Sequence, residues 1–258
     1  MCKGFIFDLD GTIYLDDEMI DGAAEALNKL KKRGDKVVFL TNKSIAKRID
    51  YVNKLKRMGI SVTLDEVINS NYITARYLHL NLSPKDYVYV IGEEPLFEEL
   101  REQGIRITED PLLAKYVVVG WDRAFHYDKL NDAFQAWRNG AQFIATNPDR
   151  TCPVKDGQIP DCGAMIGAIE GAIGQSIENI AGKPSKLMAE YVVQDVLKLP
   201  PSQCYMVGDR LETDIKMGND NGLNSVLVLT GITTKEMLEQ SSVKPTYVLN
   251  SVKEIVNL

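Results

Sequence analysis

The 258-residue sequence is poor in the residues that build metal clusters and disulfides, since it has four cysteines and two histidines. No two cysteines form a Cys-x-x-Cys pair, which argues against a zinc site and is typical of reduced thiols in a cytoplasmic protein. The longest unbroken apolar run, Tyr87–Ile91, is far shorter than the roughly 20 residues of a membrane span. The first apolar stretch meets Asp8 and Asp10 at once, so no signal peptide is expected.

The sequence also lacks an excess of positive charge. It has 36 acidic and 30 basic side chains and a net charge of -6. This balance gives no long-range attraction to phosphate backbones or anionic lipid, so neither nucleic acid nor a membrane is an expected partner. Hydrophobic residues make up 45% and charged residues 26%, as in ordinary globular proteins. The length corresponds to about 1.7 domains of ordinary size.

Seven short apolar runs alternate along the chain with segments whose apolar residues have the spacing of a helix. The predicted strands are Gly4–Asp8, Val37–Thr41, Tyr87–Ile91, Tyr116–Gly120, Phe143–Thr146, Cys204–Gly208 and Ser225–Leu229. Apolar positions from Ile45 to Met58 predict one helix, which Gly59 ends, and Ser185 is the predicted N-cap of another. Continuous apolar strands are typical of a parallel sheet covered on both faces. The predicted class is therefore α/β, with a doubly wound parallel sheet.

Polar clusters follow many of these strands, where the binding crevice of an open α/β sheet lies. One group of clusters falls between residues 8 and 44, and a second falls between 183 and 214. The insert between the two groups contains strands and helices of its own. We therefore expect a core domain from residues 1–80 and 179–258 and an inserted α/β domain from residues 81–178.

The first cluster, Asp8-Leu9-Asp10-Gly11-Thr12, places two carboxylates two residues apart after an apolar strand. This spacing puts both on the same side of the chain. Two close carboxylates in a crevice require a cation or a shared proton. An Asp-Gly hairpin turn is the structural alternative, but the residues from Ile13 onward do not continue as a convincing partner strand. A functional role is favoured.

Three further signals are weak when each is taken alone. Thr41-Asn42 offers a hydroxyl and an amide for phosphoryl oxygens, although helix capping by Asn42 or Ser44 is the better explanation of this motif taken alone. Gly182-Lys183-Pro184 shapes a loop around one lysine, and an isolated lysine is usually solvated. Gly208-Asp209 with Asp214 supplies carboxylates suited to Mg²⁺, but it could also begin an N-capped helix.

In this order, the four motifs resemble those of the haloacid dehalogenase superfamily. With Thr146-Asn147-Pro148-Asp149 they look like the branch of NagD and the p-nitrophenyl phosphatases, which carries a large α/β cap of the C2 type. Two positions depart from the pattern of that branch. Lys43 stands where a second Asn is common, and Pro160-Asp161-Cys162-Gly163 replaces Pro-Gly-x-Gly. Both departures concern the identity of the substrate rather than the type of reaction.

The resemblance implies a phosphatase in which Asp8 attacks phosphorus and forms an aspartyl-phosphate. Its carboxylate, the main-chain carbonyl of Asp10 and the side chain of Asp209 would ligate Mg²⁺, and Asp214 would hold a metal-bound water. The Asp10 side chain would protonate the leaving alcohol and later activate water.

The resemblance gives three further residues a role at the substrate. Thr41 and Asn42 would position the phosphoryl oxygens, and Lys183 would bind the phosphoryl group and assist the attack. Asp8, Asp209 and a phosphate dianion carry about four negative charges, and Mg²⁺ together with Lys183 supplies about three positive charges. The lysine is therefore physically required at such a site.

Two other functions fit the sequence less well. A signalling receiver domain is about half as long and carries its acceptor Asp at the end of an internal strand. A non-catalytic binding protein would not need all four motif side chains. The substrate stays open between nucleotide monophosphates, sugar phosphates and phosphoglycolate. Similar proteins commonly dimerise through the cap, so the sequence leaves monomer and homodimer open.

Overall fold

A computed structural model describes residues 2–154 and 157–258, which divide into two compact units. The first unit consists of Met1–Thr41, Arg48–Ile68 and Lys183–Leu258, and the second of Asn42–Lys47 and Asn69–Gly182. These boundaries differ from the predicted ones at 80/81 and 178/179. The helix Ser70–Asn81 packs against the helix Glu94–Glu102 of the second unit, which moves the first boundary. The role of the second unit as a cap stays a prediction.

The strands run in chain order from β1 to β13. They are β1 (Gly4–Asp8), β2 (Tyr14–Leu15), β3 (Glu18–Met19), β4 (Lys36–Thr41), β5 (Val67–Asn69), β6 (Tyr87–Ile91), β7 (Ala114–Val119), β8 (Gln142–Ala145), β9 (Thr151–Val154), β10 (Gly157–Pro160), β11 (Cys204–Gly208), β12 (Asn224–Val228) and β13 (Tyr247–Leu249). All seven predicted strands are present, with ends that move by no more than two residues.

The α-helices are α1 (Ala23–Lys32), α2 (Arg48–Arg57), α3 (Ser70–Asn81), α4 (Glu94–Glu102), α5 (Tyr127–Arg138), α6 (Cys162–Ile173), α7 (Lys186–Glu190), α8 (Lys216–Asp220) and α9 (Lys235–Gln240). A π-helical segment, Tyr191–Leu197, directly follows α7, and another, Leu211–Ile215, directly precedes α8. Short 3₁₀ helices span Leu64–Glu66, Pro111–Leu113, Pro201–Gln203 and Val252–Asn257. Ser185 caps α7 as predicted, because its Oγ accepts a hydrogen bond from the Leu187 amide at 3.1 Å.

The first unit is built on a six-stranded sheet in the order β13-β12-β11-β1-β4-β5. Strand β1 pairs in parallel with both β11 and β4, and β11, β12 and β13 continue in parallel. Every residue of β1 is buried, as a central strand requires. The predicted α/β class is confirmed. The parallel pairing brings the carboxyl ends of β12, β11, β1 and β4 to one edge of the sheet.

The second unit has a three-stranded parallel sheet in the order β6-β7-β8. Its apolar residues form a core together with residues of α5 and α6. The segment after α6 extends the edge of this sheet, because the Ala181 amide donates to the Ala145 carbonyl at 2.9 Å. This pairing carries the second unit to Gly182, beyond the predicted boundary at residue 178.

Residues 42–47 leave β4 and belong to the second unit. The Ser70 hydroxyl donates to the Asn42 carbonyl, and the Asn71 amide donates to the Ser44 carbonyl, both at 2.8 Å. The helix predicted from Ile45 begins only at Arg48. Ile45 packs instead against the core of the second unit, so its helical spacing from later apolar residues was misleading.

The described cysteines Cys2, Cys152, Cys162 and Cys204 are all free thiols, as predicted. None of the helices in the described ranges has the length and apolar character needed to cross a membrane.

Candidate active site

Three buried carboxylates lie together at the carboxyl edge of the large sheet. Asp8 ends β1, Asp209 directly follows β11, and Asp214 lies in the π-helical turn after β11. One carboxylate oxygen from each lies within 4.8 Å of the other two. Their residue exposures are 7%, 1% and 0%. Within residues 2–154 and 157–258, this is the one cluster of His, Cys, Asp or Glu side chains with such geometry.

The buried side chain of Lys183 links two of these carboxylates. Its Nζ donates to Asp8 Oδ1 and, at 2.7 Å, to Asp214 Oδ1. The other oxygen of Asp214 accepts the Arg210 amide at 3.0 Å, so the π-helical turn fixes the direction of this carboxylate. The structure thus joins the first, third and fourth sequence motifs in one ion cluster.

The charges of this cluster do not balance. Two ionised carboxylates within 4.8 Å repel each other by at least about 3 kcal/mol at an effective dielectric constant of about 20. Three carboxylates against one ammonium leave about two negative charges in a buried place. Such an arrangement requires a further cation or bound protons.

The pKa values reflect this imbalance. Burial raises the pKa of the Asp8 carboxyl well above its ordinary value, Lys183 opposes the shift, and Asp214 and Asp209 add to it. Burial and the charge of Asp214 raise the pKa of Asp209 to about 6. Burial alone would lower the pKa of Lys183, but the charges of Asp214 and Asp8 outweigh it and raise that pKa.

The two oxygens of Asp209 have different surroundings. Oδ2 accepts the Ile232 amide at 2.7 Å, whereas Oδ1 is buried and has no hydrogen-bond partner among the described residues. A buried carboxylate oxygen without a partner is costly. Carboxylate oxygens are the preferred ligands of Mg²⁺. The orphaned oxygen, the two neighbouring carboxylates and the excess negative charge therefore fit a divalent cation.

The loop after β12 completes this environment, and sequence reasoning missed it. The Thr230 hydroxyl donates to the Gly11 carbonyl at 2.6 Å. A Cβ on Gly231 would lie 2.0 Å from Asp209 Oδ2, so only glycine fits there. The available signal was Thr-Gly directly after a predicted strand. This signal is weak, because the loop has no charged residue and acts partly through backbone amides.

The turn after β1 brings Gly11 beside Asp209, since a Cβ on Gly11 would lie 2.6 Å from Asp209 Oδ2. The Gly11 amide donates to the Tyr14 carbonyl at 2.8 Å, and Gly11 has φ +84°. The Thr12 hydroxyl lies 3.5 Å from Asp8 Oδ2. No β-hairpin turns on Asp10-Gly11. The short antiparallel pair β2–β3 is instead joined by a turn at Asp16 and Asp17, the two residues between these strands.

The two residues of the second motif fall in different units. Thr41 ends β4 and is 2% exposed, one residue beyond the Leu40 that pairs with Asp8. Asn42 begins the second-unit segment, and its Nδ2 donates to Asp149 Oδ2 at 2.8 Å. Asp149 was not predicted to take part with Asn42. The phosphoryl contacts of Thr41 and Asn42 stay predictions.

Thr146-Asn147 repeats the Thr-Asn pair of the second motif, but it lies in the second unit. Its side chains form a network within that unit. Thr146 Oγ1 donates to Asn147 Oδ1 at 2.7 Å, and Asn147 Nδ2 donates to Asp149 Oδ2 at 2.9 Å and to Asp161 Oδ1 at 3.1 Å.

Other acidic, aromatic and histidine side chains of the described ranges lie outside this carboxylate cluster. Asp16, Asp17 and Glu18 are all exposed. Trp121 is 3% exposed and belongs to the core of the second unit, and His126 is exposed.

Comparison with known proteins gives consistent matches along the chain. Residues 5–106 match the family model of the haloacid dehalogenase-like hydrolases, and residues 180–255 match a HAD-hydrolase-like model. The sugar-phosphatase AraL of Bacillus subtilis is 40% identical over 257 residues, which cover 99% of this chain and 92% of that protein.

Solved structures give the same result. The p-nitrophenyl phosphatase from Archaeoglobus fulgidus has a TM-score of 0.93 at 38% identity, over 99% of this chain and 98% of the other. The glycerol phosphate phosphatase from Mycobacterium tuberculosis, in complex with magnesium, has a TM-score of 0.88 at 29% identity. That match covers 98% of this chain and 76% of the other.

Proposed function

Because the chain belongs to the haloacid dehalogenase-like hydrolases and is a phosphatase of the NagD and p-nitrophenyl phosphatase branch, we propose that it hydrolyses small phosphate monoesters with Mg²⁺ through an aspartyl-phosphate. The observation that carries this proposal is the buried cluster of three carboxylates around Lys183, in which Asp209 Oδ1 has no partner. The names of its relatives favour sugar phosphates and p-nitrophenyl phosphate as substrates.

Asp8 is the proposed nucleophile. Its carboxylate lies at the end of a rigid central strand, and Lys183 donates to one of its oxygens. The phosphoryl group brings additional negative charge, which opposes attack by a carboxylate. The buried ammonium of Lys183 offsets part of that charge without the cost of reorienting solvent.

The Asp10 side chain is the proposed acid and base. It protonates the leaving alcohol in the first step and takes a proton from the hydrolytic water in the second. Thr41 and Asn42 are assigned to the phosphoryl oxygens because each offers a hydrogen-bond donor at the carboxyl end of β4, where Thr41 is the last residue of the strand and Asn42 follows it. A small phosphate monoester is the proposed partner at this site.

Asp8, Asp209 and the main-chain carbonyl of Asp10 would hold Mg²⁺, and Asp214 would hold a water bound to it. The cation supplies charge neutralisation and polarises the phosphoryl oxygens when bound. Asp214 also keeps Lys183 in place through the 2.7 Å hydrogen bond.

The test compares the wild type with Asp8→Asn and Asp132→Asn. Asp132 is a half-buried carboxylate that accepts the Tyr89 hydroxyl at 2.8 Å within the second unit, so it is a control for loss of a hydrogen-bonded aspartate. Release of p-nitrophenol and of phosphate from a panel of sugar phosphates is measured with Mg²⁺ and with a chelator. We expect activity only with Mg²⁺, almost none in Asp8→Asn, and wild-type rates in Asp132→Asn.

The covalent step has a separate readout. Acid quenching during turnover, followed by proteolysis and mass spectrometry, should place a phosphoryl group on the peptide that contains Asp8. Wild-type rates in Asp8→Asn, or full activity in the chelator, would contradict the proposed mechanism.

A further inference from the structure

The loop after β12, residues 230–233, contacts both acidic segments of the first unit. Thr230 Oγ1 donates to the Gly11 carbonyl at 2.6 Å, and the Ile232 amide donates to Asp209 Oδ2 at 2.7 Å. The Thr233 amide reaches the Asp209 carbonyl at 3.3 Å. This loop therefore links the turn that carries Asp10 to the carboxylate of Asp209.

The direction of the Asp10 carbonyl depends on the peptide that it shares with the Gly11 amide. That amide donates to the Tyr14 carbonyl at 2.8 Å. Because a trans peptide is planar, its carbonyl points opposite to its N–H group. The Asp10 carbonyl is therefore directed away from Tyr14, and its orientation changes whenever this peptide plane rotates.

The next peptide joins Gly11 to Thr12, and it is held from two sides. Its N–H group donates to the Leu9 carbonyl at 3.2 Å, and its carbonyl accepts the shorter bond of 2.6 Å from Thr230. Gly11 has no side chain to restrict rotation between the two planes. The Thr230 hydroxyl is thus a constraint from outside the turn on a backbone that would otherwise rotate easily.

The Asp209 carboxylate is fixed by the same loop. With Oδ2 bound to the Ile232 amide, Oδ1 is the oxygen left without a partner among the described residues. Gly231, between the two contacts, passes so close that its Cβ would meet Asp209 Oδ2 at 2.0 Å. One short loop therefore sets two of the oxygens that the proposed function assigns to Mg²⁺.

We propose that Thr230 is a positioning residue for the cation site: through Gly11, its hydroxyl holds the Asp10 carbonyl in the direction that metal binding needs. This inference rests on the proposed function, because that function makes the Asp10 carbonyl a ligand. Thr230 itself touches neither the substrate nor the reacting atoms. The competing explanation is that its hydroxyl only stabilises the fold.

Three variants separate these explanations. Thr230→Val keeps the shape of the side chain and removes the donor, and Thr230→Ser restores the donor. Thr74→Val is the matched control, since Thr74 is a buried threonine whose Oγ1 donates to the Ser70 carbonyl at 2.8 Å in the second unit. Thr230→Val and Thr74→Val each lose one hydrogen bond from a threonine hydroxyl to a backbone carbonyl, and Thr230→Ser keeps a hydroxyl that can form it.

The measurement is calorimetric titration of Mg²⁺ into each purified protein without phosphate ester, with thermal unfolding recorded alongside. Loss of a group that orients a ligand typically weakens metal binding by about 10- to 100-fold. We expect a weakening of about 10-fold or more in Thr230→Val, and affinities within about twofold of wild type in Thr230→Ser and Thr74→Val.

An unchanged Mg²⁺ affinity in Thr230→Val overturns the inference, even if its unfolding temperature falls. Equal weakening in Thr74→Val, or failure of Thr230→Ser to restore binding, overturns it as well. These results leave the proposed function intact when the wild type binds Mg²⁺ and Asp8→Asn is inactive. If the wild type binds no Mg²⁺ and works in a chelator, the proposed function fails and the inference fails with it.

Discussion

Gly208, the last residue of β11, lies against the side chain of Asp214. In Gly208→Ala, the new Cβ would lie 2.2 Å from Asp214 Cγ and 2.3 Å from both its Cβ and Oδ2. Ordinary van der Waals contact begins at 3.4 Å. The nearest of these approaches is about 1 Å shorter than van der Waals contact, so Asp214 would have to move by about that distance. It is fully buried, so the displacement cannot be taken up by moving into solvent.

This displacement acts on the ion cluster directly. The hydrogen bond from Lys183 to Asp214 is 2.7 Å long. A forced movement of Asp214 would lengthen or misalign this short bond and so weaken it. A misplacement of about 1 Å can cost an enzyme about 100-fold in rate. We therefore expect Gly208→Ala to lower kcat/KM by about 100-fold, or about 2.7 kcal/mol of transition-state stabilisation.

The matched control is Gly167→Ala in α6, where an added Cβ meets no atom within 4 Å. An alanine in the interior of a helix stabilises it by about 0.5–1 kcal/mol relative to glycine. This variant should keep kcat/KM within about twofold of wild type and unfold at a slightly higher temperature.

Steady-state hydrolysis of p-nitrophenyl phosphate at saturating Mg²⁺, with circular dichroism to confirm folding, measures both variants. A folded Gly208→Ala enzyme with kcat/KM within about threefold of wild type would refute the reasoning. It would mean that the position of Asp214 does not control the site.

Three further predictions concern other side chains. Lys183→Ala should lower turnover by orders of magnitude, because it removes the positive charge between two buried carboxylates; steady-state kinetics with less than a tenfold loss would contradict this. Asp10→Asn should show a burst of nitrophenol from p-nitrophenyl phosphate in stopped flow and then slow turnover, with a larger loss on alkyl phosphates, because only the alkoxide leaving group needs a proton. Equal losses on both esters without a burst would remove Asp10 from the acid–base role. Iodoacetamide at pH 8 should label the half-buried Cys2 of the native protein and spare Cys162, where burial raises the pKa to about 12; mass spectrometry that finds Cys162 labelled in the folded protein would contradict this.

The central strands could be predicted from sequence because each is buried on both sides and is therefore apolar along its length. Strand β1 has the predicted bounds for this reason. The strands β5 and β13 were not predicted, since each has only three residues. The residues of β13 are all apolar, but a run of three is too short to indicate a strand by its hydrophobic pattern.

The acidic motifs could be found because carboxylates at the ends of apolar strands are unusual and have a chemical use. The structure brings Asp8, Asp209, Asp214 and Lys183 into one cluster. The contribution of residues 230–233 to the site could not be predicted from sequence in this way. Part of it comes from a backbone amide, and because every residue type except proline has one, the sequence gives no sign of this contact.

The path of residues 42–47 has a consequence for the exchange of parts between related proteins. The chain leaves the first unit after Thr41, returns at Arg48 and leaves again after Ile68. A chimera that replaced only 69–182 would pair a foreign unit with the native 42–47 segment. In the native protein, Ser70 and Asn71 donate hydrogen bonds to that segment. In the chimera, the residues at these positions would come from a protein in which they contact a different segment. The transplantable module is therefore discontinuous, and exchange of the second unit between related proteins requires residues 42–47 and 69–182 to be transferred together.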